Sequence, residues 1–176
     1  IADLGKPRII IIGGGFGGLE VIKGLQGLKA QVVLFDKYNH HTFQPLLYQV
    51  ATVGLEAGSI AYPIRKVIQG YPNFYFRLTA VKEIDVQNQK ILTENDELHY
   101  DYLVIATGSR TNFFGNKEIE RNAMSMKTIP QSLNIRSLIL ENFEHAVFST
   151  DEKEQENLMN FVLVGAGPTG VELAGA

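Results

Sequence analysis

The chain has 176 residues, 45% of them hydrophobic and 20% charged, with a formal net charge of −3, which is the composition of an ordinary soluble globular core. Its sixteen Lys and Arg are scattered, so no basic face recommends it for nucleic acid. It contains no cysteine, which removes disulfide scaffolds, thiolate metal sites and thiol catalysis from this stretch.

Residues 8–12 read as a buried parallel strand: continuous, β-branched and ended by glycine. The strand runs into Gly13-Gly14-Gly15-Phe16-Gly17-Gly18, whose glycines fill positions 1, 3 and 6 of G-x-G-x-x-G. In a dinucleotide-binding turn the first of these allows the tight turn and the second lets backbone N–H groups reach a pyrophosphate. The third lets the helix pack closely on the strand, and the helix N-terminus offers partial positive charge to the phosphates. A helix is expected over 16–28, with Val21, Ile22, Leu25 and Leu28 on one face. Gly24 and Gly27 each cost such a helix about 1 kcal/mol relative to alanine, and close packing would account for them. Residues 31–35 form the second strand, with Asp36 at its end. That is where the acid of a Rossmann unit accepts hydrogen bonds from ribose hydroxyls, the ordinary alternative being a turn-forming Asp. An acid there repels a 2′-phosphate, so NADP is not the expected ligand of this first site.

Residues 37–58 read as irregular, and 59–69 as a short helix with Pro63 in its first turn. Residues 74–86, 90–93 and 98–100, broken at Gln87-Asn88-Gln89 and Glu94-Asn95-Asp96, read as an antiparallel meander. Residues 101–106 read as another buried parallel strand, ending at Thr107-Gly108. A helix is expected from Pro130 to about Val147, with Leu133, Leu140, Phe143 and Val147 at helical spacing. Residues 149–157, acidic and polar, read as a surface linker. A strand over 159–164 then leads into a second fingerprint, Gly165-Ala166-Gly167-Pro168-Thr169-Gly170. No solenoid-period repeat is present, no apolar run approaches transmembrane length, and no signal peptide is visible. A chain that starts at Ile1 and stops in the helix after the second fingerprint is expected to be part of a longer polypeptide, since that helix needs sheet neighbours to bury its apolar face. His40-His41 has no third ligand at metal spacing, so no metal site is expected.

Two fingerprints in strand context imply two different dinucleotides. A βαβ unit, a three-strand meander and a strand ending Ala106-Thr107-Gly108 together resemble the FAD domain of two-dinucleotide-binding flavoproteins of the glutathione reductase type. The segment Asn39-His40-His41-Thr42-Phe43-Gln44-Pro45-Leu46-Leu47-Tyr48-Gln49-Val50-Ala51-Thr52 is similar to the one that marks type II NADH:quinone oxidoreductases. These are the single-subunit, non-proton-pumping NADH dehydrogenases of respiratory chains. Gly108-Ser109-Arg110-Thr111-Asn112-Phe113-Phe114-Gly115 and Gly170-Val171-Glu172-Leu173-Ala174-Gly175 resemble two further stretches of that family.

The resemblance implies an α/β fold: a Rossmann-like FAD domain with a parallel sheet and an antiparallel meander over residues 1–125. Residues 126–176 would then be a connecting helix and the incomplete, truncated start of a second Rossmann-like domain for NADH. It implies FAD pyrophosphate over Gly13, Gly15, Phe16, Gly17 and Gly18, with the adenosine ribose on Asp36. Lys37 would stand near the adenosine or its phosphate, solvent exposure being the alternative. Val81 would meet the adenine through its backbone, Ala106, Thr107 and Gly108 would lie close to FAD, and Gln44 and Pro45 would contact the flavin. NADH would lie over Gly165, Gly167, Pro168, Thr169 and Gly170. Glu172, in the first turn of the second helix, would face the meeting point of nicotinamide and flavin; its ordinary alternative is a carboxylate favoured by the helix dipole. Hydride would pass from NADH to FAD and two electrons onward to a membrane quinone, the cofactors carrying the chemistry.

The family further implies peripheral attachment at the cytoplasmic side of the cell membrane through a C-terminal region outside this sequence, and a homodimer of the full-length protein. The 176 residues by themselves are expected to be soluble and not to complete turnover. The missing cysteines exclude disulfide reductases and sulfide:quinone oxidoreductases of the same fold. Ferredoxin-reductase-like and apoptosis-inducing-factor-like flavoproteins stay open on the glycine motifs, and the segment 39–52 argues against them. A non-catalytic flavin-binding module is the alternative from another class.

Overall fold

The computed structural model describes residues 1–176. In chain order its elements are β1 (Arg8–Ile12), α1 (Phe16–Gly24), β2 (Gln31–Asp36), β3 (His40–Thr42), α2 (Leu47–Ala51), β4 (Ala61–Pro63), α3 (Ile64–Val67), β5 (Phe74–Leu78), β6 (Glu83–Asp85), β7 (Lys90–Leu92), β8 (Glu97–His99), β9 (Tyr102–Ile105), α4 (Lys117–Asn122), α5 (Ile129–Phe148), α6 (Glu152–Leu158) and α7 (Pro168–Gly175). They form two compact units, one of residues 1–41 and 62–109, the other of 42–61 and 110–176. The domain boundary expected at residue 125 falls inside the second unit. No helix is long and apolar enough to cross a membrane.

The first unit is built on a parallel sheet of order β5-β2-β1-β9, with Ile10 opposite Val33 on one side and Leu103 on the other. Parallel strands covered on both faces read as unbroken apolar runs, and β1 and β2 show why. Ile9, Ile11, Val32 and Leu34 pack with Leu19 and Ile22 of α1 and with Ile64 of α3. Ile10, Ile12, Val33 and Phe35 instead meet Ile91, Leu98 and Tyr100 of the meander. The meander is β6-β7-β8, antiparallel, with Ile91 between Ile84 and Leu98.

The strands and first helix of this unit differ from expectation. Residues 74–86 are not one strand: β5 lies parallel to β2 in the main sheet, and only β6 belongs to the meander. The break follows from hydrogen bonding, because the Thr79 N–H donates to the Asp36 carbonyl at 2.9 Å while the Lys82 N–H donates to Leu92 at 2.8 Å. Helix α1 ends at Gly24, and Gly27 has a φ of 81°, so Leu28 is exposed rather than part of the apolar face. Close packing does not explain Gly24 either, since a Cβ there would meet nothing within 4 Å. β9 pairs only with β1 and is an edge, leaving Tyr102 63% and Ile105 62% exposed instead of buried.

Residues 37–58 hold more order than their composition indicates: β3, a 3-10 turn over Gln44–Leu46, α2, and the start of a second such turn over Ala57–Ile60. The helix expected over 59–69 shrinks to the single turn of α3, which starts after Pro63 because that residue is extended, with ψ 122°.

In the second unit, Leu47, Val50 and Ile60 form a small core with Met126 and Ile129. The α5 start is as expected: the Thr128 hydroxyl accepts from the Gln131 N–H at 3.4 Å, and Pro130 sits in the first turn, where its missing N–H costs nothing. The acidic stretch after it is helical rather than a linker, because Asp151 caps α6 by accepting from Lys153 N–H at 3.0 Å and two glutamates follow in its first turn. Leu140, Phe143 and Val147 on α5 remain exposed. No strand forms over 159–164; Val162 is 81% exposed, and an isolated extended segment gains no ladder hydrogen bonds.

Candidate functional site

The first glycine loop is shaped by close approach of backbone to backbone. Gly13 has a φ of 108°, and a Cβ there would overlap the Ala106 carbonyl, whose carbon would lie at 2.7 Å. Its N–H donates to Phe35 O at 2.8 Å, and Ala106 N–H donates to Ile12 O at 2.8 Å, so the loop grows directly from the β2-β1-β9 ladder. A Cβ at Gly18 would be driven into the Gly13 carbonyl oxygen. Gly15 is different: no protein atom lies within 4 Å of where its Cβ would be. It caps α1 without a side-chain hydrogen bond, and the first turn of the helix contains no acid of its own. The Cβ direction of Gly17 passes 3.9 Å from the Ala106 Cβ, and Gly108 turns with a φ of 73°. Fold thus brings Ala106-Thr107-Gly108 beside Gly13–Gly18, although many residues separate them.

Asp36 anchors the same loop. Its Oδ2 accepts from the Gly14 N–H at 2.5 Å and its Oδ1 from the Tyr38 N–H at 2.8 Å. Each carboxylate oxygen carries two acceptor sites, so both keep capacity for a further donor such as a ribose hydroxyl. The loop, its acid and the open direction at Gly15 fit an adenine dinucleotide. Three residues that sequence reasoning passed over belong here. A Cβ at Gly14 would meet Ile64 Cδ1 at 2.6 Å; the only sequence signal was a third consecutive glycine where the motif asks for none. His41 Nδ1 lies 3.1 Å from the Gly14 carbonyl oxygen. A carbonyl only accepts, so Nδ1 carries the proton. The His41 ring also meets Phe16 edge-on, with centroids 4.8 Å apart. Lys37 is exposed, its ammonium 5.0 Å from the Tyr38 ring centroid, and Val81 packs on the core under the meander.

The second loop repeats the turn. Gly165 has a φ of 120°, a Cβ at Gly170 would overlap the Gly165 carbonyl oxygen, and Gly167 caps α7 as Gly15 caps α1. Glu172 is placed differently from expectation: α7 starts at Pro168, so the carboxylate stands in the second turn, and no acid occupies the first. There it lines a shallow groove of about 560 Å³ with Tyr48, Gln49, Thr52 and Gly54. Within that wall the Gln49 amide donates to the Tyr48 hydroxyl at 3.1 Å, and Thr52 Oγ1 donates to the Tyr48 carbonyl at 3.0 Å. Val53, between Thr52 and Gly54, is held at a φ of 69°, a conformation that strains a β-branched residue. Gln44 and Pro45 lie exposed in the 3-10 turn before α2, the Gln44 amide 3.4 Å from Lys127 O. Neither lines the groove.

On the meander, hydrogen bonds from Asn88 hold the Asp85 carboxyl below its ordinary value. Lys90 and Glu97 bond across strands at 2.9 Å, which raises the lysine and lowers the glutamate.

Residues 7–176 match the family described as pyridine nucleotide-disulphide oxidoreductase. The chain is 43% identical over 175 residues to the type II NADH:quinone oxidoreductase NdhA of Mycobacterium tuberculosis, covering 97% of this chain and 37% of that protein. Among solved structures, NDH2 of Plasmodium falciparum matches with a TM-score of 0.86 and 28% identity, over 96% of this chain and 36% of that one. A second structure of that protein, in complex with NADH, matches with a TM-score of 0.77 and 27% identity over 86% and 32% of the two chains. The chain therefore spans well under half the length of the relatives it matches. Matched along nearly its whole length, it belongs to the pyridine nucleotide-disulphide oxidoreductase family, where its similarity is to type II NADH:quinone oxidoreductases.

Proposed function

We propose that these residues are the cofactor-binding part of an FAD-dependent enzyme that oxidises NADH and reduces a quinone. The observation that carries this reading is the loop Gly13–Gly18, open at Gly15 and held by Asp36, which suits the pyrophosphate and ribose of an adenine dinucleotide. In this reading Gly13, Gly15, Phe16, Gly17 and Gly18 receive the pyrophosphate, and Asp36 accepts from the ribose. Val81, Ala106, Thr107 and Gly108 border the bound cofactor, with Lys37 at its adenosine end and Gln44 and Pro45 at its flavin end. When bound, FAD supplies a two-electron acceptor for the hydride of NADH. Gly165, Gly167, Pro168, Thr169 and Gly170 take the NADH pyrophosphate at the second helix N-terminus.

Glu172 acts by position and charge in the groove it shares with Tyr48, Gln49 and Thr52, and not as a nucleophile. The name of the Plasmodium complex supports NADH as the donor, and the name of the mycobacterial relative supports a quinone as the acceptor. Peripheral attachment to the cytoplasmic face of the cell membrane, and a homodimer of the full-length protein, complete the reading. Thiol–disulfide exchange within these residues has no part in it, because they include no cysteine.

The test is optical. Full-length protein is expected to purify yellow, to bleach on NADH without oxygen, and to recover its colour with a soluble quinone. Protein that holds FAD but is not bleached by NADH is a flavin-binding module, and the enzyme reading fails.

A further inference from the structure

We infer that His41 is a positioning residue for the first dinucleotide loop, holding the Gly14 carbonyl so that the loop is shaped before FAD arrives. The inference rests on the FAD reading above and adds the element that organises the site. Gly13, Gly14 and Gly15 are three consecutive glycines, the backbone with most conformational freedom to lose on ordering. A loop of that kind binds a ligand more tightly when something else has already restricted it. Here the restraint converges on Gly14. Its N–H donates to Asp36 Oδ2 at the end of β2, and its carbonyl accepts from His41 Nδ1–H on β3 at 3.1 Å. Ile64 Cδ1 closes a third side, where a Cβ would lie at 2.6 Å. The His41 ring also stands edge-on to Phe16, the first residue of α1, at 4.8 Å. One side chain thereby ties the middle of the loop to the start of the helix.

The geometry separates donor from ring. Asparagine places an amide near the Nδ1 position and can restore the donor. Phenylalanine keeps a ring against Phe16 and supplies none. The experiment titrates FAD into full-length apoprotein, followed by quenching of flavin fluorescence, for wild type, His41→Asn and His41→Phe. Loss of the hydrogen bond in His41→Phe should weaken FAD binding about 10-fold, and His41→Asn should stay within about threefold of wild type. Amide exchange at Gly14 and Gly15 of the apoprotein should rise in His41→Phe and not in His41→Asn. The tautomer is read independently on the wild type from the 15N–1H correlation of the imidazole, which should show the proton on Nδ1.

Equal FAD affinity for wild type and His41→Phe overturns the inference, as does equal weakening in both variants or a proton on Nε2 alone. A proton on Nε2 alone overturns the inference even if His41→Phe does not fold. Wild-type protein that takes up no FAD overturns the cofactor reading, and this inference with it. Wild type that binds FAD with no penalty in His41→Phe overturns this inference alone.

Discussion

Gly170 approaches the carbonyl oxygen of Gly165 so closely that a methyl group at position 170 would overlap it, and Gly18 stands to Gly13 in the same way. The two loops share one turn, with φ of 120° at Gly165 and 108° at Gly13. Within these 176 residues only the first rests on a sheet: β1 pairs on both sides, whereas no strand forms before Gly165. The turn is thus a local property of the glycine spacing, and the platform under it is not.

Substituting alanine at the two positions should expose that difference. Gly18→Ala has to push α1 away from β1, a helix seated on the sheet through Leu19 and Ile22, and should cost about 1–3 kcal/mol of stability. In a protein of these 176 residues alone, Gly170→Ala meets the same overlap in a helix with no buried residue, which can shift, so its cost should stay below about 1 kcal/mol. Urea unfolding midpoints measure both. Equal losses would show that the sheet platform contributes nothing to the strain.

Gly14 and Ile64 should be coupled energetically. Gly14→Ala drives a methyl group toward Ile64 Cδ1 and is expected to cost about 1–3 kcal/mol. Ile64→Val removes that atom from a fully buried side chain at about 0.5–1.5 kcal/mol. The double variant should be destabilised by less than the sum, with a coupling of at least about 0.5 kcal/mol. Strict additivity in denaturant unfolding would mean that Ile64 is not what keeps position 14 a glycine.

The Lys90–Glu97 pair gives the meander a pH signature. Lys90 holds the Glu97 carboxyl below its ordinary value, the side-chain hydrogen bond contributing most. A depressed carboxylate stabilises the fold above its unfolded pKa and loses that contribution as pH falls through the folded one. The stability gap between wild type and Glu97→Gln should therefore be present at pH 7 and close below the ordinary glutamate range, near pH 4 and lower. It should also shrink in high salt, because the pair is solvent-accessible. Thermal melts at several pH values check the sign; a gap that widens in acid would contradict it.

Elements held by short-range physics were legible in the residues themselves. β1 and β2 declare themselves as apolar runs because both sheet faces are covered, and α5 declares its start through Thr128 and Pro130. Each glycine turn is specified by spacing, since only glycine tolerates a carbonyl at the Cβ position of residues 18 and 170. What tertiary structure alone decided depends on groups distant along the chain. The split of 74–86 into β5 and β6 follows from which strand each half pairs with, a choice that apolar alternation cannot encode. β9 reads as buried from its composition, yet lies at the sheet edge because pairing order is a long-range property. Glu172 belongs to the groove with Tyr48, Gln49 and Thr52 only because α7 and α2 meet in space. His41 had no role in the sequence beyond a metal pairing that its spacing excluded; the fold makes it a donor to Gly14, a partner no sequence spacing could name, because the hydrogen bond spans two elements whose separation is set by packing.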